Sequence, residues 1–463
     1  MTTRWMALVF GALALGSTSA QAQQAAVPDM FLHGVPAGTA TATTIQLSLA
    51  DAISRGLDHN LAIVLQQSRS SNSEGQRERD LSALLPHVFG GVRQSAQIVN
   101  IAAFGFTGFA GVPQVIGPFG VFDARVFLNT PLYDAAALGT YHESKALASA
   151  ETHADRNIRE LVVLAVGSVY LEAVADEARV ASSKSQVATA EALARLAEDQ
   201  RTAGVVAGID VLRQQVELES ARARLITAQN ALEKQKLKLA RAIGLPLDQQ
   251  FELGDHPTYT PAPPITLEAA LATAYATRED LRTAEARVEA ADGAVKSARG
   301  NSLPSLHLDA DYGGLGSSVS TVERTFTVAA DVRVPIFDGG STRGKVTQAD
   351  ADLKARQSEL EDLRAGVRAD VTAALLDLQA AEAGVQVARS ARSLATQQLE
   401  QAQDRVRAGV TNTIELAQAQ EEEVIATERY ISSVHAHLLA KAAMARALGQ
   451  VQQRFLQLVG GQQ

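Results

Sequence analysis

Residues 325–340 read TFTVAADVRVPIFDGG, and the pattern changes within this stretch. Up to residue 336, apolar and polar side chains alternate, which is typical of a strand with one apolar and one polar face. The apolar face would carry Phe326, Val328, Ala330, Val332, Val334 and Ile336. After the two glycines, residues from about 341 to 407 are rich in the helix formers Ala, Leu, Glu, Arg and Gln. The sequence therefore predicts a two-faced strand that leads directly into a very long helix.

The same passage occurs earlier in the chain, so the sequence contains an internal repeat. Four pairs of markers recur in one order: Leu47 and Ile265 at a helix start, Leu85 and Leu303 before a proline, Pro131 and Pro335 before an aromatic-Asp pair, and Gly204 and Gly409 at a helix break. The offset is 218 for the first two pairs (265 − 47 and 303 − 85), 204 for the third (335 − 131) and 205 for the fourth (409 − 204). Each half thus predicts an entry helix up to Leu-Pro, two strands, a long helix, a break and a shorter returning helix. The first half has a longer loop between its strands, at about 100–120.

The repeat also divides the chain. The N-terminus has Arg4, a short apolar run and Ala20-Gln21-Ala22, the pattern of a secretory signal peptide with its cleavage site. The predicted divisions are a signal peptide at 1–22, a first repeat at 23–254, a Pro-rich linker at 255–264, a second repeat at 265–449 and a C-terminal tail at 450–463.

Residues 305–312 and 122–129 alternate in the same way as residues 325–336. Such alternation suits a soluble, half-buried sheet, and it equally suits strands with one face on lipid and one on a wet lumen. Isolated hairpins are marginal in water, which favours the membrane. Four strands are too few to close a barrel, so several copies of the chain would have to pool their strands.

The helical segments are too long for an ordinary globular domain. At 1.5 Å per residue, residues 135–201 and 341–407 would each extend about 100 Å. Shorter helices at 210–243 and 414–448 return from the breaks, so each break is predicted to be the end of a helical hairpin, far from the strands. The fold class is therefore mainly α with a small transmembrane β part. A solid coiled-coil stalk is the alternative, although it would leave the strands unexplained.

Composition excludes several classes of function. The net charge of -9 lacks the basic footprint of a nucleic-acid-binding protein. The chain has no cysteine, and it carries no P-loop, nucleophile elbow or zinc-helix motif. We therefore expect no enzyme activity, no catalytic residue, no cofactor and no metal site, and a hydrolase with an unusual helical body is disfavoured.

The duplicated plan, the Pro-Ile-Phe-Asp-Gly-Gly sequence at 335–340 and the Arg-Val-Arg-Ala-Gly-Val sequence at 405–410 resemble the outer-membrane efflux family typified by TolC. The resemblance implies a homotrimer with an α-barrel across the periplasm and a 12-stranded β-barrel in the outer membrane, four strands per chain. It implies a passive exit duct of a tripartite efflux or type I secretion system, located in the outer membrane with its helices in the periplasm. Its partners would be a periplasmic adaptor protein and an inner-membrane pump.

The resemblance also implies roles for particular residues. In the family the hairpin ends touch the adaptor, and the positions that match are Gly204, Val205, Gly409 and Val410. An acidic ring narrows the periplasmic aperture in the family. Glu415 matches one position of that ring, Gln418 stands where a second acid is often found, and Asp210 is the counterpart of Glu415 in the first repeat. Three Glu415 carboxylates around a narrow axis would repel one another and favour a bound cation or partial protonation, which would make a cation-friendly gate. The alternative is that Glu415 is an ordinary solvated helix acid.

The sequence is also compatible with a second class of function. A periplasmic coiled-coil adaptor or scaffold would also be exported, largely helical and free of catalytic motifs. Such an adaptor would be expected to have many short strands flanking one helical hairpin, whereas this chain has two hairpins and alternating strands.

Overall fold

A computed structural model describes residues 29–105, 111, 113–255, 259–408, 410 and 413–459. The predicted signal peptide, 1–22, lies outside the described residues. Each repeat forms an entry pair of short helices, a β-hairpin and a long helical hairpin. The order of the hairpins agrees with the order predicted from the sequence.

The first repeat contains β1 (Ile45–Leu47), α1 (Leu49–His59), α2 (Leu61–Ser82), β2 (His87–Asn100), β3 (Val115–Tyr133), α3 (Ala135–Thr202), α4 (Gly208–Ala242) and β4 (Phe251–Leu253). The second contains α5 (Leu267–Thr277), α6 (Glu279–Gly300), β5 (Ser305–Gly316), β6 (Glu323–Arg333), α7 (Ser341–Arg407) and α8 (Thr413–Ala447). The long helices agree closely with the predicted bounds. The predicted C-terminal tail contains a helix, α9 (Val451–Val459).

The prediction of a single entry helix in each repeat is wrong, because the structure divides each one into two helices. The first division is at Asn60 and the second at Arg278, again 218 residues apart (278 − 60). The Asn60 side chain accepts a hydrogen bond from the backbone N–H of Ala62 and donates to the carbonyl of Phe31 at 2.7 Å. An N-cap of this kind starts a new helix and turns the chain.

The loop between the first two strands is shorter than predicted. β2 continues to Asn100, a 3-10 helix covers Ile101–Phe104, and β3 begins at Val115. Gly, Phe and Pro residues interrupt the alternation of apolar and polar side chains in this region, so the ends of the strands could not be predicted from the sequence.

The strands form one antiparallel sheet in the order β2-β3-β5-β6, so the hairpins of the two repeats join through β3 and β5. Within the chain, β2 and β6 are therefore the edges of the sheet. β1 and β4 form a separate small parallel pair at the other end of the entry helices.

The long helices follow the order α4-α3-α8-α7, since α3 packs on both α4 and α8, and α8 packs on α7. The main apolar core lies around the middle of α3, with Val162, Val166, Tyr170 and Leu171 all buried, and Phe455 of α9 joins it. A second core joins α5 and α7 near Val367 and Val371. No helix among the described residues combines the length and apolar character required to cross a membrane.

Candidate channel surfaces and periplasmic end

The four-stranded sheet separates apolar from polar side chains by residue parity. Paired residues always share parity, as in His87 with Asn129 or Ser305 with Arg333, apart from the shifted pairs near two irregularities. Even-numbered residues therefore lie on one face across most of the sheet. That face carries exposed apolar side chains, including Val92, Val126, Tyr312, Phe326, Val328 and Val332.

The odd-numbered face is polar and internally paired. Arg125 contacts Asp123 and donates to Asp311 at 3.1 Å, and Asn129 donates to Asp309 at 2.5 Å. The rings of Phe89 and Phe127 stack on this face with centroids 5.1 Å apart. The sequence had placed Asp309 and Asp311 on one face of a strand. The structure adds their partners on β3, which come from 180 and 186 residues earlier in the chain.

The end of the second hairpin holds the predicted aperture acid in an ion pair. Arg405 on α7 donates to Glu415 on α8 at 2.6 Å. Gln418 is exposed one turn further along α8, and Val410 is exposed at the turn. Gly409 lies outside the described residues. Arg405 was not singled out as an aperture residue from the sequence, because its pairing with Glu415 depends on the return of the chain at the hairpin.

At the end of the first hairpin, the acid pairs with an arginine of its own helix rather than across the hairpin. Gly204 adopts a φ of +73°, a conformation that favours glycine, and the N–H of Val205 donates to the carbonyl of Gln200 at 2.8 Å. The Val205 side chain is exposed. Asp210 forms an ion pair with Arg213 at 3.1 Å, one turn along α4. Both predicted aperture acids therefore have an arginine of their own hairpin beside them.

A group of charges that the sequence did not indicate joins the two repeats near the middle of α3 and α7, and all its members except the exposed Asp370 are buried or half-buried. Arg446 contacts Glu160 at 3.1 Å, and Arg278 contacts Asp280 at 2.7 Å and Asp370 at 3.1 Å. These residues lie on or next to four helices and, apart from Arg278 and Asp280, are far apart in the chain, so no local pattern could have found the group.

Within this group, the pKa of one acid is raised and the pKa of another is lowered. Burial raises the pKa of Glu160, although Arg446 opposes the shift. Burial also disfavours the ionised form of Asp280, but hydrogen bonds and charges from Arg278 and Arg446 outweigh it and hold the pKa of Asp280 below its usual value.

Two histidines on α8 lie against neighbouring segments, one fully buried and the other largely buried. His437 is fully buried, and its Nε2 lies 3.2 Å from the carbonyl oxygen of Thr260 in the linker between the repeats. His435 Nε2 lies 3.0 Å from a carboxylate oxygen of Glu172 on α3. Both side chains therefore connect α8 to neighbouring segments. In the described part of the chain, no group of three or more His, Cys, Asp or Glu side chains could hold a metal ion.

Known proteins share this architecture. Residues 270–450 match the family described as Outer membrane efflux protein. The pyoverdine export outer membrane protein OpmQ of Pseudomonas putida is 24% identical over 71% of this chain and 70% of its own length. The toluene efflux pump outer membrane protein TtgF of Pseudomonas putida is 26% identical over 80% of this chain and 76% of its own length. The crystal structure of the outer membrane protein VceC of Vibrio cholerae has the same fold, with a TM-score of 0.75, 17% identity, and coverage of 87% of this chain and 96% of that one.

The two-faced sheet, the paired long helices and the duplicated plan define the protomer of a channel-tunnel. Residues 270–450 match the outer-membrane efflux protein domain, and the chain as a whole has the fold of TolC-like channels. It functions as an outer-membrane channel of an efflux or secretion system, and its helical part extends into the periplasm. The matching family and the solved neighbours are channel proteins rather than enzymes.

Proposed function

We propose that three copies of the chain close into one continuous duct, which carries solutes passively from the periplasm to the outside. The observation that carries this proposal is that both layers of the chain end in open edges. The helical wall ends in α4 on one side and α7 on the other, and the sheet ends in β2 and β6. Unlike edges of this kind join head to tail, which closes a ring when the rotation permits.

The two outer helices carry matching apolar stripes. On α4 the exposed apolar residues follow a heptad spacing, which is typical of a helix that packs along another helix. They are Ile209, Leu212, Val216, Ala223, Ile226 and Leu237 on α4, and Leu376, Ala380, Ala383, Val387, Ala391 and Leu394 on α7. Covering these stripes with a neighbouring copy would remove them from water.

The edges of the sheet also need a partner from a neighbouring copy. An unpaired strand edge is not tolerated in lipid, because its backbone N–H and C=O groups would lack partners. Pairing β6 of one copy with β2 of the next would give twelve strands in a closed barrel. The even-numbered apolar face would then contact lipid, and the odd-numbered polar face would line the lumen.

The hairpin ends would form the periplasmic mouth and meet an adaptor protein. The proposed contacts are Gly204, Val205, Gly409 and Val410. Exposed apolar side chains at Val205 and Val410 suit a helical partner that buries them.

The proposed aperture differs from a simple acidic ring. Glu415 and Asp210 would narrow it, with Gln418 beyond them as a neutral position. Because Arg405 and Arg213 lie beside these two acids, the net charge at the mouth is small, and we propose only a weak preference for cations.

The duct itself would supply neither energy nor catalysis. An inner-membrane pump would provide the energy, and the adaptor would connect the pump to the hairpin ends. The names of the two relatives refer to different compounds, pyoverdine and toluene. We therefore propose that the cargo is selected by the pump rather than by the duct.

The native mass of the protein from fractionated outer membranes, extracted in mild detergent, tests the proposal. A particle of three chains that forms ion-conducting pores in planar bilayers is the expected result. A soluble monomer or dimer in the periplasmic fraction would overturn it, and would instead fit a coiled-coil scaffold.

A further inference from the structure

A cavity of about 620 Å³ lies between the two long helical hairpins, with walls from α3, α4, α7 and α8. Along the helices, a small apolar cluster that includes Leu193, Val406 and Leu416 lies on the side of the hairpin ends. At the other end of the cavity, Arg179 on α3 pairs with Glu428 on α8 at 3.0 Å. The two hairpins are therefore in contact at both ends of the cavity and apart between them.

The size of the cavity is that of a small-molecule site, since such sites typically measure about 300–1,000 Å³. Packed protein interiors contain few voids larger than a water molecule, so a gap of this size in the helical wall is unusual. Part of its lining is apolar and comes from both hairpins, namely Ala178, Ala181, Ala190, Leu399, Val424 and Ile431.

A buried amide without a partner borders the cavity. Gln420 on α8 is only 7% exposed, and within the described part of the chain its Oε1 atom accepts no hydrogen bond. A buried acceptor without a donor costs free energy and is uncommon in folded proteins. The group missing here is an N–H or O–H donor, which a molecule in the cavity can supply.

A carboxylate lies beside this amide. Glu423 follows Gln420 by three residues on α8, a spacing that places both on one face of the helix, and both line the cavity. Thr427, which is 5% exposed, donates a hydrogen bond to Oε1 of Glu423 at 2.8 Å and so orients the carboxylate. Gln420 and Glu423 together offer two acceptors, one of them charged, to a single donor group.

The balance of charge in the cavity favours a cation over an anion. Three acids, Glu217, Glu400 and Glu423, and two bases, Arg224 and Arg392, line it. Glu217 already neutralises Arg224, at a distance of 2.6 Å. The two acids that are left outnumber the one remaining arginine.

The lining residues of α8 also give the cavity a direction. Gln420 and Glu423 lie toward the hairpin end, whereas Ile431 lies about 16 Å further along the helix (11 residues at ~1.5 Å). Beside Ile431, Arg392 lies over the ring of Tyr430, 5.1 Å from its centroid, so a positive charge already occupies that end. A molecule that suits both ends has one cationic donor group and an apolar body.

We propose that this cavity binds an organic monoamine, with the ammonium group at Gln420 and Glu423 and an apolar or aromatic body toward Tyr430 and Ile431. The ammonium would donate to Oε1 of Gln420 and pair with the carboxylate of Glu423. The site is complete within one chain, so it does not rest on the trimeric ring proposed above. Because both hairpins form its walls, a bound amine would stabilise this separation of the hairpins over any other.

Isothermal titration of the detergent-extracted protein with 4-phenylbutylamine tests the proposal, after subtraction of a titration into detergent alone. Saturable binding is expected, at least about tenfold tighter than that of 4-phenylbutan-1-ol, which lacks the charge. 1,8-Diaminooctane should also bind at least about tenfold more weakly than the monoamine, because its second charge would meet Arg392. Equal affinities for the amine and the alcohol would show only apolar partition and would overturn the proposal.

A pair of variants locates the binding site. Glu423→Gln should weaken binding of the amine at least about tenfold and leave binding of the alcohol unchanged, because glutamine keeps the size of the side chain and an oxygen that can accept from Thr427. Glu422→Gln is the matched control, since this neighbouring acid is exposed and is not among the residues that line the cavity. An equal loss of affinity in both variants would indicate a general effect of surface charge and would overturn the site.

Gln420→Met separates binding from folding. It removes the unsatisfied amide and keeps the length of the side chain, so the melting temperature should not fall while the affinity for 4-phenylbutylamine should. A lower melting temperature with unchanged affinity would make the amide structural and overturn its role.

The site and the proposed duct can fail separately. A conducting trimer that does not bind 4-phenylbutylamine would overturn the site and leave the duct standing. A monomer that binds the amine with the expected preference would support the site and contradict the proposed function.

Discussion

The long helices α3 and α7 occupy the same place in the two repeats and have almost the same length, 68 and 67 residues, yet their surroundings differ. α3 is covered by α1, α2, α4, α6, α8 and α9, and its middle forms the centre of the main core. α7 packs mainly on α5, α6 and α8, and apolar residues such as Leu376, Val387 and Leu394 remain exposed. The long helix α3 has neighbouring helices on both sides, whereas α7, among the described residues, lacks a neighbouring helix on one side. The uncovered side of α7 supports the proposal that one chain is an open segment of a larger helical wall.

A second contrast lies at the division of the entry helices, where equivalent positions use different chemistry. Asn60 is fully buried and satisfies backbone groups of Phe31, Ala62 and Ala242. Arg278 is also buried, but its partners are the carboxylates of Asp280 and Asp370. The repeat has kept the geometry of the bend while its stabilising groups have changed from neutral to charged.

The largest effect is expected when the contact between α3 and α6 is broken. Gly139→Leu would place a side chain against the backbone of Ser297, and neither helix can move without disturbing the core. We expect destabilisation of more than about 3 kcal/mol, at or above the upper end for overpacking. Thermal unfolding followed by circular dichroism, together with the amount of protein in the outer membrane, measures it.

Gly344→Leu is the matched variant on α7, because Gly344 is the equivalent of Gly139 in the second repeat (344 − 139 = 205). Its side chain would enter open space within the chain, so the monomer should fold with unchanged helicity and only assembly should fail. If Gly139→Leu and Gly344→Leu lowered the stability of the monomer equally, the contrast between α3 and α7 would be wrong.

A smaller effect is expected at α9, which covers α3 and, among the described residues, has no counterpart on α7. The ring of Phe455 is buried against Gly167 of α3. Phe455→Ala should cost about 3 kcal/mol, the lower end for removing a buried phenylalanine. Leu456→Ala on the exposed side of the same helix is the control, and it should leave the unfolding midpoint in urea nearly unchanged.

A pH-dependent effect is expected from the buried charges between the repeats. Because burial raises the pKa of Glu160, the folded state retains a proton at pH values where the unfolded chain, with an ordinary pKa of about 4.3, has lost it. This contribution to stability is complete below pH 4.3 and is lost as the pH rises through the higher pKa of the folded state.

The contribution of Asp280 to stability changes with pH in the opposite direction. Its pKa is lowered in the folded state, so its contribution is present above the ordinary aspartate pKa and is lost as the pH falls through the lowered value. Glu160→Gln should therefore flatten the decline in melting temperature above pH 4.3 while keeping the loss of stability in acid. An unchanged slope above pH 4.3 would show that Glu160 is not the group responsible.

The smallest effect concerns the proposed aperture, where the two hairpin ends can be compared directly. Arg405→Gln would remove the positive charge beside Glu415 and leave three acids less compensated around the axis. An affinity gain of ~1.4 kcal/mol for a trivalent cation would lower its blocking concentration about tenfold in planar-bilayer recordings. Arg213→Gln, beside Asp210 on the first hairpin, tests whether that acid contributes as much.

Glu415→Gln combined with Arg405→Gln provides the control for the aperture prediction. The double variant should lose the added sensitivity to trivalent cations. Block that persists in the double variant would place the cation site elsewhere in the duct.

The predictions made from the sequence were most accurate for long regular patterns. The bounds of α3 and α7 were found within a residue, because dozens of consecutive helix formers leave little ambiguity. The divisions at Asn60 and Arg278 were missed, since both lie inside continuous helical patterns and depend on partners far along the chain, such as Ala242 and Asp370. For the aperture, Glu415 could be selected by its position, whereas its partner Arg405 emerged only when the hairpin was formed. The role of Glu415 in the aperture stays a prediction.

The sequence alone determined that the chain is a duplicated, mainly helical protein with two-faced strands, because alternation, helix-forming composition and ordered markers are properties of neighbouring residues. Only the tertiary structure decided which helix faces are covered by a neighbouring helix and which are exposed. Gly75 and Gly293 are the same residue type in the same place of two repeats, and no local pattern distinguishes them. One meets the neighbouring helix and the other meets open space, because burial depends on what the rest of the chain, or the next copy of it, brings alongside.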